Sequence, residues 1–238
     1  MALNVKNIPK ESGNQLKLIA LICMTADHMG LILLPQYPVL RLIGRLSFPI
    51  FAYMIAEGCR HTRSMGKYLA SISAVAALCQ LIYFVVLRSL SMCIMVTFSL
   101  SVGLIWLWRT AREKKSIFFA ILTLAGIGAA FFLTDILPTW LQDTDYLIDY
   151  GFLGVMLPVV IYLLKGKKAQ LAGMSVMLCL LALWANWDLQ WFSLLALPLL
   201  ALYGGHRGKG QLKWLFYVYY PLHLGAIWML RVLLVYLL

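Results

Sequence analysis

Nine apolar runs, most of them close to the ~20 residues that cross a ~30 Å hydrocarbon core, alternate along the chain with short polar segments. Their limits are about 16 to 34, 40 to 59, 68 to 87, 90 to 108, 117 to 134, 147 to 164, 171 to 185, 189 to 203 and 214 to 237, the seventh and eighth being the shortest. Runs of this length predict membrane-spanning helices, in which every backbone N–H and C=O is satisfied within the segment.

The charges between the runs set a direction. Lys6, Lys10 and Lys17, then Arg60, Arg63 and Lys67, then Arg109, Arg112, Lys114 and Lys115, then Lys165, Lys167 and Lys168, then Arg207, Lys209 and Lys213 all fall in every second connecting segment. Only Arg41, Arg45, Arg88 and Arg231 fall on the other side, where Asp135, Asp143, Asp145, Asp149 and Asp188 lie. Basic loops stay in the cytosol. The expected architecture is therefore an all-α polytopic membrane protein of about nine transmembrane helices, one domain over residues 1–238, with the N-terminus cytosolic and the C-terminus outside. The expected location is the cytoplasmic (inner) membrane.

Composition agrees and removes other classes. Hydrophobic residues are 63% of the 238, charged residues 12%, and mean hydropathy is +0.86, against about a quarter charged in soluble domains. A net charge of +11 in another context suggests nucleic acid, but here it is loop charge, and no nucleic-acid partner is expected. The first apolar run follows three lysines and is long enough to stay as a span, which argues against a cleaved leader. Cys23, Cys59, Cys79, Cys93 and Cys179 sit in or at the ends of apolar runs without a CxxC pair, and read as small packing residues.

Against this background the stretch from Asp27 to Arg63 stands out. It sets Asp27, His28, Arg41, Arg45, Glu57, His61 and Arg63 among residues apolar enough for lipid. Ionisable groups inside a bilayer cost from about 3 kcal/mol upward, and they persist where they pair, line water or do chemistry. At 1.5 Å per residue, Asp27 stands ~15 Å above Lys17, His223 stands ~15 Å above Lys213, and Pro49 stands ~16 Å above Arg60. Arg41 and Arg45 come out nearer the outer face and Glu57 ~5 Å above Arg60, so that the polar groups form a ladder across the membrane. A bend is expected at Pro49, which removes one backbone hydrogen bond.

Helix geometry limits the pairings. Arg41 and Arg45 share a face, as do Glu57 and His61, whereas the adjacent Asp27 and His28 point ~100° apart. Asp27 is therefore expected to pair with an arginine or with His223, leaving His28 toward a cavity. Several of these groups have a plainer reading. Arg41 and Arg45 also suit anchors that snorkel to the outer interface, and Arg60, Arg63 and Lys67 suit simple topology determinants. Trp184, Trp187 and Trp191 around Asp188 look like an interfacial belt, and His206, in the GGHRGKG segment, looks like a loop residue.

The segments KLIALICMTADHMG, RLIGRLSFPIFAYMIAEGCRHTRSMGKYL and LFYVYYPLHLGAIWML resemble the TraX family, named for a membrane protein that acetylates the N-terminus of pilin subunits. The resemblance lies in residues 16 to 70 and 214 to 231. It extends to the wider group of transmembrane acyltransferases, which take an acyl group from cytosolic coenzyme A. It implies that His28 is the general base or acyl carrier, with Asp27, His223, Arg45 and Glu57 as further catalytic candidates. It also implies that Arg60, His61, Arg63 and Lys67 face the diphosphate of acetyl-coenzyme A, and that Arg41 holds the acceptor. The acceptor would be a peptide, pilin-like or otherwise, a sugar or a lipid, and membrane lipids surround the protein.

The chemistry suits that role. Acyl transfer to an amine needs a base and donors for an oxyanion, and a neutral histidine in the span can be that base or carry the acyl group itself. No histidine spacing suggests a metal, and none is expected. Two other readings stand beside this one. In a small proton-coupled transporter, Asp27, Glu57 and His223 would relay protons along the ladder. A structural assembly partner would explain the topology but not the charge within it.

Overall fold

The computed structural model describes residues 12–85, 88–186, 188–206 and 213–237, with side chains in the last segment from 218 to 234. Lys6, Lys10, Arg207, Lys209 and Trp187, and the side chain of Lys213, lie outside the described residues. The helices in chain order are α1 (Gly13–Ile32), α2 (Pro38–Gly44), α3 (Ser47–His61), α4 (Met65–Val85), α5 (Ile94–Lys114) and α6 (Ile117–Phe131). A π segment (Phe132–Ile136) leads into α7 (Leu137–Trp140), and α8 (Gly151–Leu163) and α9 (Lys167–Ala185) follow. A 3₁₀ segment (Asp188–Leu195) then continues into α10 (Ala196–Ala201), and α11 is Lys213–Leu237. Among the described residues the extended structure is one isolated bridge, Met92 to Ile148.

Every one of the nine apolar runs is helical. Among the described residues six stretches are long and apolar enough to cross a membrane, namely α1, Pro38–His61, α4, α5, Ile117–Trp140 and α9; Gly151–Leu163 and Asp188–Ala201 are shorter, and Val218–Leu234 is the part of the 25-residue α11 whose side chains are described. α8 is the shortest of these at 13 residues, ~20 Å of rise, less than a ~30 Å core. The outward surface is that of a membrane protein. Ile117, Phe118, Ile121 and Leu124 of α6 are 78, 64, 59 and 70% exposed, a stripe of apolar side chains that a soluble protein does not leave in water.

Two compact units account for the packing: residues 1–54 with 187–238, and residues 55–186. α3 passes from one to the other between Met54 and Ile55.

In the first unit α1 starts on a capping box, with Ser12 Oγ accepting from the Gln15 N–H and Gln15 Oε1 accepting from the Ser12 N–H. α1 and α2 form a helical hairpin turning through residues 33–37. Its arms approach closely at two glycines, since a Cβ on Gly30 would lie 2.8 Å from Leu40 Cβ, and one on Gly44 would fall within 2.2 to 2.5 Å of the Asp27 side chain. The expected bend at Pro49 is found earlier, at Arg45 and Leu46 between α2 and α3. Proline at the third position of α3 has no need of an N–H there, and its ring denies the helix the carbonyl four residues back, which is that of Arg45. Side chains add to the hydrogen bonds at the break: Ser47 Oγ donates to Gly44 O at 2.7 Å, and Arg45 Nε lies 3.4 Å from Arg41 O, which also accepts the Arg45 backbone N–H at 3.2 Å.

In the second unit α5 and α8 pack through Phe98, Val102, Ile105, Val155 and Ile161, all at most 1% exposed. α8 lacks a side-chain cap of its own, and charges from elsewhere hold both its ends. Asp135 Oδ2, in the π segment, accepts from the Phe152 N–H at 2.9 Å. At the other end Arg60 Nη2 donates to the carbonyls of Ile161, Tyr162 and Leu164 while its Nη1 pairs with Glu57 Oε1 at 2.6 Å. A carboxylate at the N-terminus and a cation at the C-terminus each match the helix dipole. Outside the spans, Ser89 Oγ and the Leu90 N–H donate to Asp145 and hold its carboxyl below the usual carboxylate range.

Two substitutions test this packing. Gly44→Ala drives a methyl into Asp27, and thermal unfolding in detergent is expected to lose about 3 kcal/mol, the scale of an overpacked core combined with a disturbed ion pair. Arg60→Ala removes the cap of α8 and strands Glu57, with an expected loss of about 3 kcal/mol; an unfolding midpoint equal to wild type would show that α8 does not depend on it.

Candidate functional site: a histidine pair beside a carboxylate clasped by two arginines

Lipid-facing helices rarely carry carboxylates, and the first unit shows how this one does. Asp27 lies in the last third of α1. Its Oδ2 accepts from Arg41 Nη1 at 2.8 Å and its Oδ1 from Arg45 Nη2 at 2.6 Å, with the three side chains 15, 20 and 7% exposed. The ladder expected from the sequence, with both arginines a rung above Asp27, is thus corrected. In an antiparallel hairpin, residues equidistant from the turn share a level, and position 35 lies midway between 27 and 43, the position between the two arginines. The plainer reading of Arg41 and Arg45 as interface anchors gives way with it, because their guanidinium groups are engaged by Asp27. The trio carries one positive charge more than it neutralises.

His28 points elsewhere, as the ~100° between neighbours requires. Its Nδ1 is 2.9 Å from Met24 O, on its own helix, and 3.3 Å from Nε2 of His223 on α11. The two rings meet edge to face, centroids 5.0 Å apart and planes at 69°. His223 Nδ1 in turn lies 3.1 Å from Tyr219 O. Carbonyl oxygens accept and never donate, so the hydrogen-bond geometry assigns the neutral tautomers. Both Nδ1 atoms carry hydrogen. The His223 Nε2 lone pair receives a share of the His28 Nδ1–H, and the lone pair of His28 is left on Nε2, which makes no hydrogen bond to a described residue.

Aromatic residues hold His223 in place. Tyr219 stacks on its ring, centroids 5.3 Å apart and planes at 8°, and Tyr220, buried, stands at 70° to it. Tyr219 is itself fixed to α1: its hydroxyl lies 2.7 Å from Thr25 Oγ1, and Thr25 Oγ1 lies 2.8 Å from Leu21 O. Since the threonine hydrogen goes to the carbonyl, Tyr219 is the donor. Thr25, Tyr219 and Tyr220 were not among the residues singled out from the sequence, although Tyr219 and Tyr220 lie in the LFYVYYPLHLGAIWML segment.

Of the remaining candidates, Glu57, Arg60, His61, Arg63 and Lys67 belong to the second unit. Glu57 pairs with Arg60 and stands 3.5 Å from His61 Nε2. Arg60 is occupied by α8, as described above, while His61, Arg63 and Lys67 are exposed. A polar group that the sequence did not single out is Gln190, buried in the 3₁₀ segment, whose Oε1 accepts from Arg45 Nη1 at 3.4 Å.

Comparison with known proteins follows the same residues. The probable fimbrial assembly protein FimC, serogroup H1, of Dichelobacter nodosus is 37% identical over 76 residues, 30% of this chain and 31% of that protein. The protein RP591 of Rickettsia prowazekii (strain Madrid E) is 47% identical over 38 residues, 16% of this chain and 15% of its own length. The chain therefore spans less than a third of either curated relative. No solved structure matches it. The family described as "TraX protein" matches residues 12–231, a span that holds Asp27, both arginines and both histidines, and the chain belongs to the TraX family.

Proposed function

We propose that this multi-pass membrane protein is an acetyltransferase that moves an acetyl group from acetyl-coenzyme A to an amine, that of the N-terminus of a pilin-like peptide. The observation that carries the reading is the unengaged Nε2 lone pair of His28, fixed in tautomer by Met24 and His223. The fimbrial assembly role named for the Dichelobacter nodosus relative supports a pilin-like acceptor.

In this reading the amine attacks the thioester carbonyl as His28 Nε2 takes its proton. The carbon–sulfur bond then breaks, and the coenzyme A thiolate leaves and is protonated, so that one amide and one thiol replace one thioester and one amine. His223 keeps the ring of His28 in the right tautomer, the role of the third group behind a general base. The excess positive charge of the Asp27, Arg41 and Arg45 trio favours the negative charge that develops on the carbonyl oxygen. Among the residues that the sequence suggested for the coenzyme A diphosphate, Arg60 is engaged in capping α8, whereas His61, Arg63 and Lys67 are exposed.

The test is acetyl transfer by the purified protein in detergent, from acetyl-coenzyme A to a peptide with a free N-terminal amine, followed by intact mass. His28→Ala is expected to lower the rate at least a hundredfold, the scale of a lost general base, and His223→Ala about tenfold, with both variants unfolding like the wild type. Full activity in His28→Ala, or no transfer by the wild type, would sink the proposal. Activity that requires a proton gradient across a sealed vesicle would favour transport instead.

A further inference from the structure

Two buried polar atoms, one of them on the glutamine that Arg45 contacts, have no hydrogen-bond partner among the described residues. Gln190 is 2% exposed and Ser193 is fully buried, yet Gln190 Nε2 and Ser193 Oγ make no hydrogen bond among the described residues. Buried polar atoms are almost always paired, and one left alone calls for a physical reason. Both lie on the 3₁₀ segment Asp188–Leu195, eight residues long, where such runs rarely exceed three or four. In a 3₁₀ helix side chains at i and i+3 eclipse, so Gln190 and Ser193 stand one above the other on a single face.

Arg45 fixes which way the amide points. A guanidinium only donates, so the atom 3.4 Å from its Nη1 is Oε1, and the NH₂ of Gln190 faces away from it. The face therefore presents an N–H donor and, one turn along, a hydroxyl that donates or accepts. The arginine behind them, clasped to Asp27, sets the amide's orientation.

We infer that Gln190 and Ser193 form a subsite for a secondary amide of the substrate, with Gln190 Nε2 donating to its carbonyl oxygen and Ser193 Oγ pairing with its N–H. A secondary amide offers one strong acceptor and one donor, the complement of this pair. Two substrates could supply it under the acetyltransferase reading, on which this inference rests: the first peptide bond of the acceptor, or the pantetheine arm of the acyl donor.

The experiment uses the full chain in detergent, with Gln190→Met and Ser193→Ala, which preserve volume closely enough to fold. Loss of one such hydrogen bond is expected to raise the KM of the substrate that carries the amide about tenfold, with kcat changed little. If the peptide's KM rises and that of acetyl-coenzyme A does not, the amide is the acceptor's; the reverse assigns it to pantetheine. An acceptor in which an ester replaces the first peptide bond should lose affinity for the wild type but not for Ser193→Ala. A second readout does not need turnover: binding of the same peptide and of acetyl-coenzyme A, followed by tryptophan fluorescence, should weaken in the variants. Unchanged KM and binding for both substrates, with only a shift in thermal unfolding, would mean that a buried water satisfies the pair and would overturn the inference. No acetyl transfer by the wild type would instead remove the acetyltransferase reading and leave the binding result standing.

Discussion

The Asp27 carboxylate, held between Arg41 and Arg45, is the constraint from which the first unit follows. A carboxylate left without a partner among apolar side chains would cost several kcal/mol, about 3 to 5 by the usual measure, and Asp27 has two partners. Clasping it demands that α2 return alongside α1 in a fixed register. It further demands that Gly44 carry no side chain, because a Cβ there would occupy the space of the carboxylate. At the break after α2, Ser47 Oγ takes the carbonyl of Gly44. Charge thus sets the register of a hairpin whose apolar surfaces alone would slide.

That clasp also separates two tasks that sequence proximity joins. Asp27 and His28 are neighbours, yet one faces the arginines and the other faces α11. With its charge spent on two cations, Asp27 does not orient the histidine; backbone carbonyls and His223 do that. Neutral hydrogen bonds to carbonyls hold a ring without adding charge to it, which suits a base that must accept a proton and release it.

Much of this was legible in the sequence, and the errors are instructive. All nine apolar runs are helical, and the pairing of Asp27 with an arginine followed from helical geometry, whereas His223, expected as an alternative partner of Asp27, meets His28, which was expected to face a cavity. Depth was misjudged for Arg41 and Arg45 because it was measured from the far ends of the spans, from Lys17 for Asp27 and from Arg60 for the second run, on the assumption of straight spans. Counting outward from the turn at position 35 places Asp27 between them without any such assumption. The bend was assigned to Pro49 itself, although a proline in the first turn of a helix marks where the helix begins. Gln190 and Ser193 escaped notice because uncharged polar residues in a tryptophan-rich segment carry no composition signal, and their i, i+3 alignment depends on a 3₁₀ winding that propensity does not reveal. Arg60 looked like a ligand for phosphate because nothing in a sequence shows which carbonyls a guanidinium will find.

Arg60 and Asp135 have a further meaning for how the second unit is assembled. α8 is too short to be secured in a bilayer by length alone, and both of the charges that grip its ends come from segments synthesised before it. As the chain emerges, the receiving cation and carboxylate have already been synthesised when α8 follows. Its position is thus written by earlier parts of the polypeptide, and the order of synthesis matches the order in which the contacts become available.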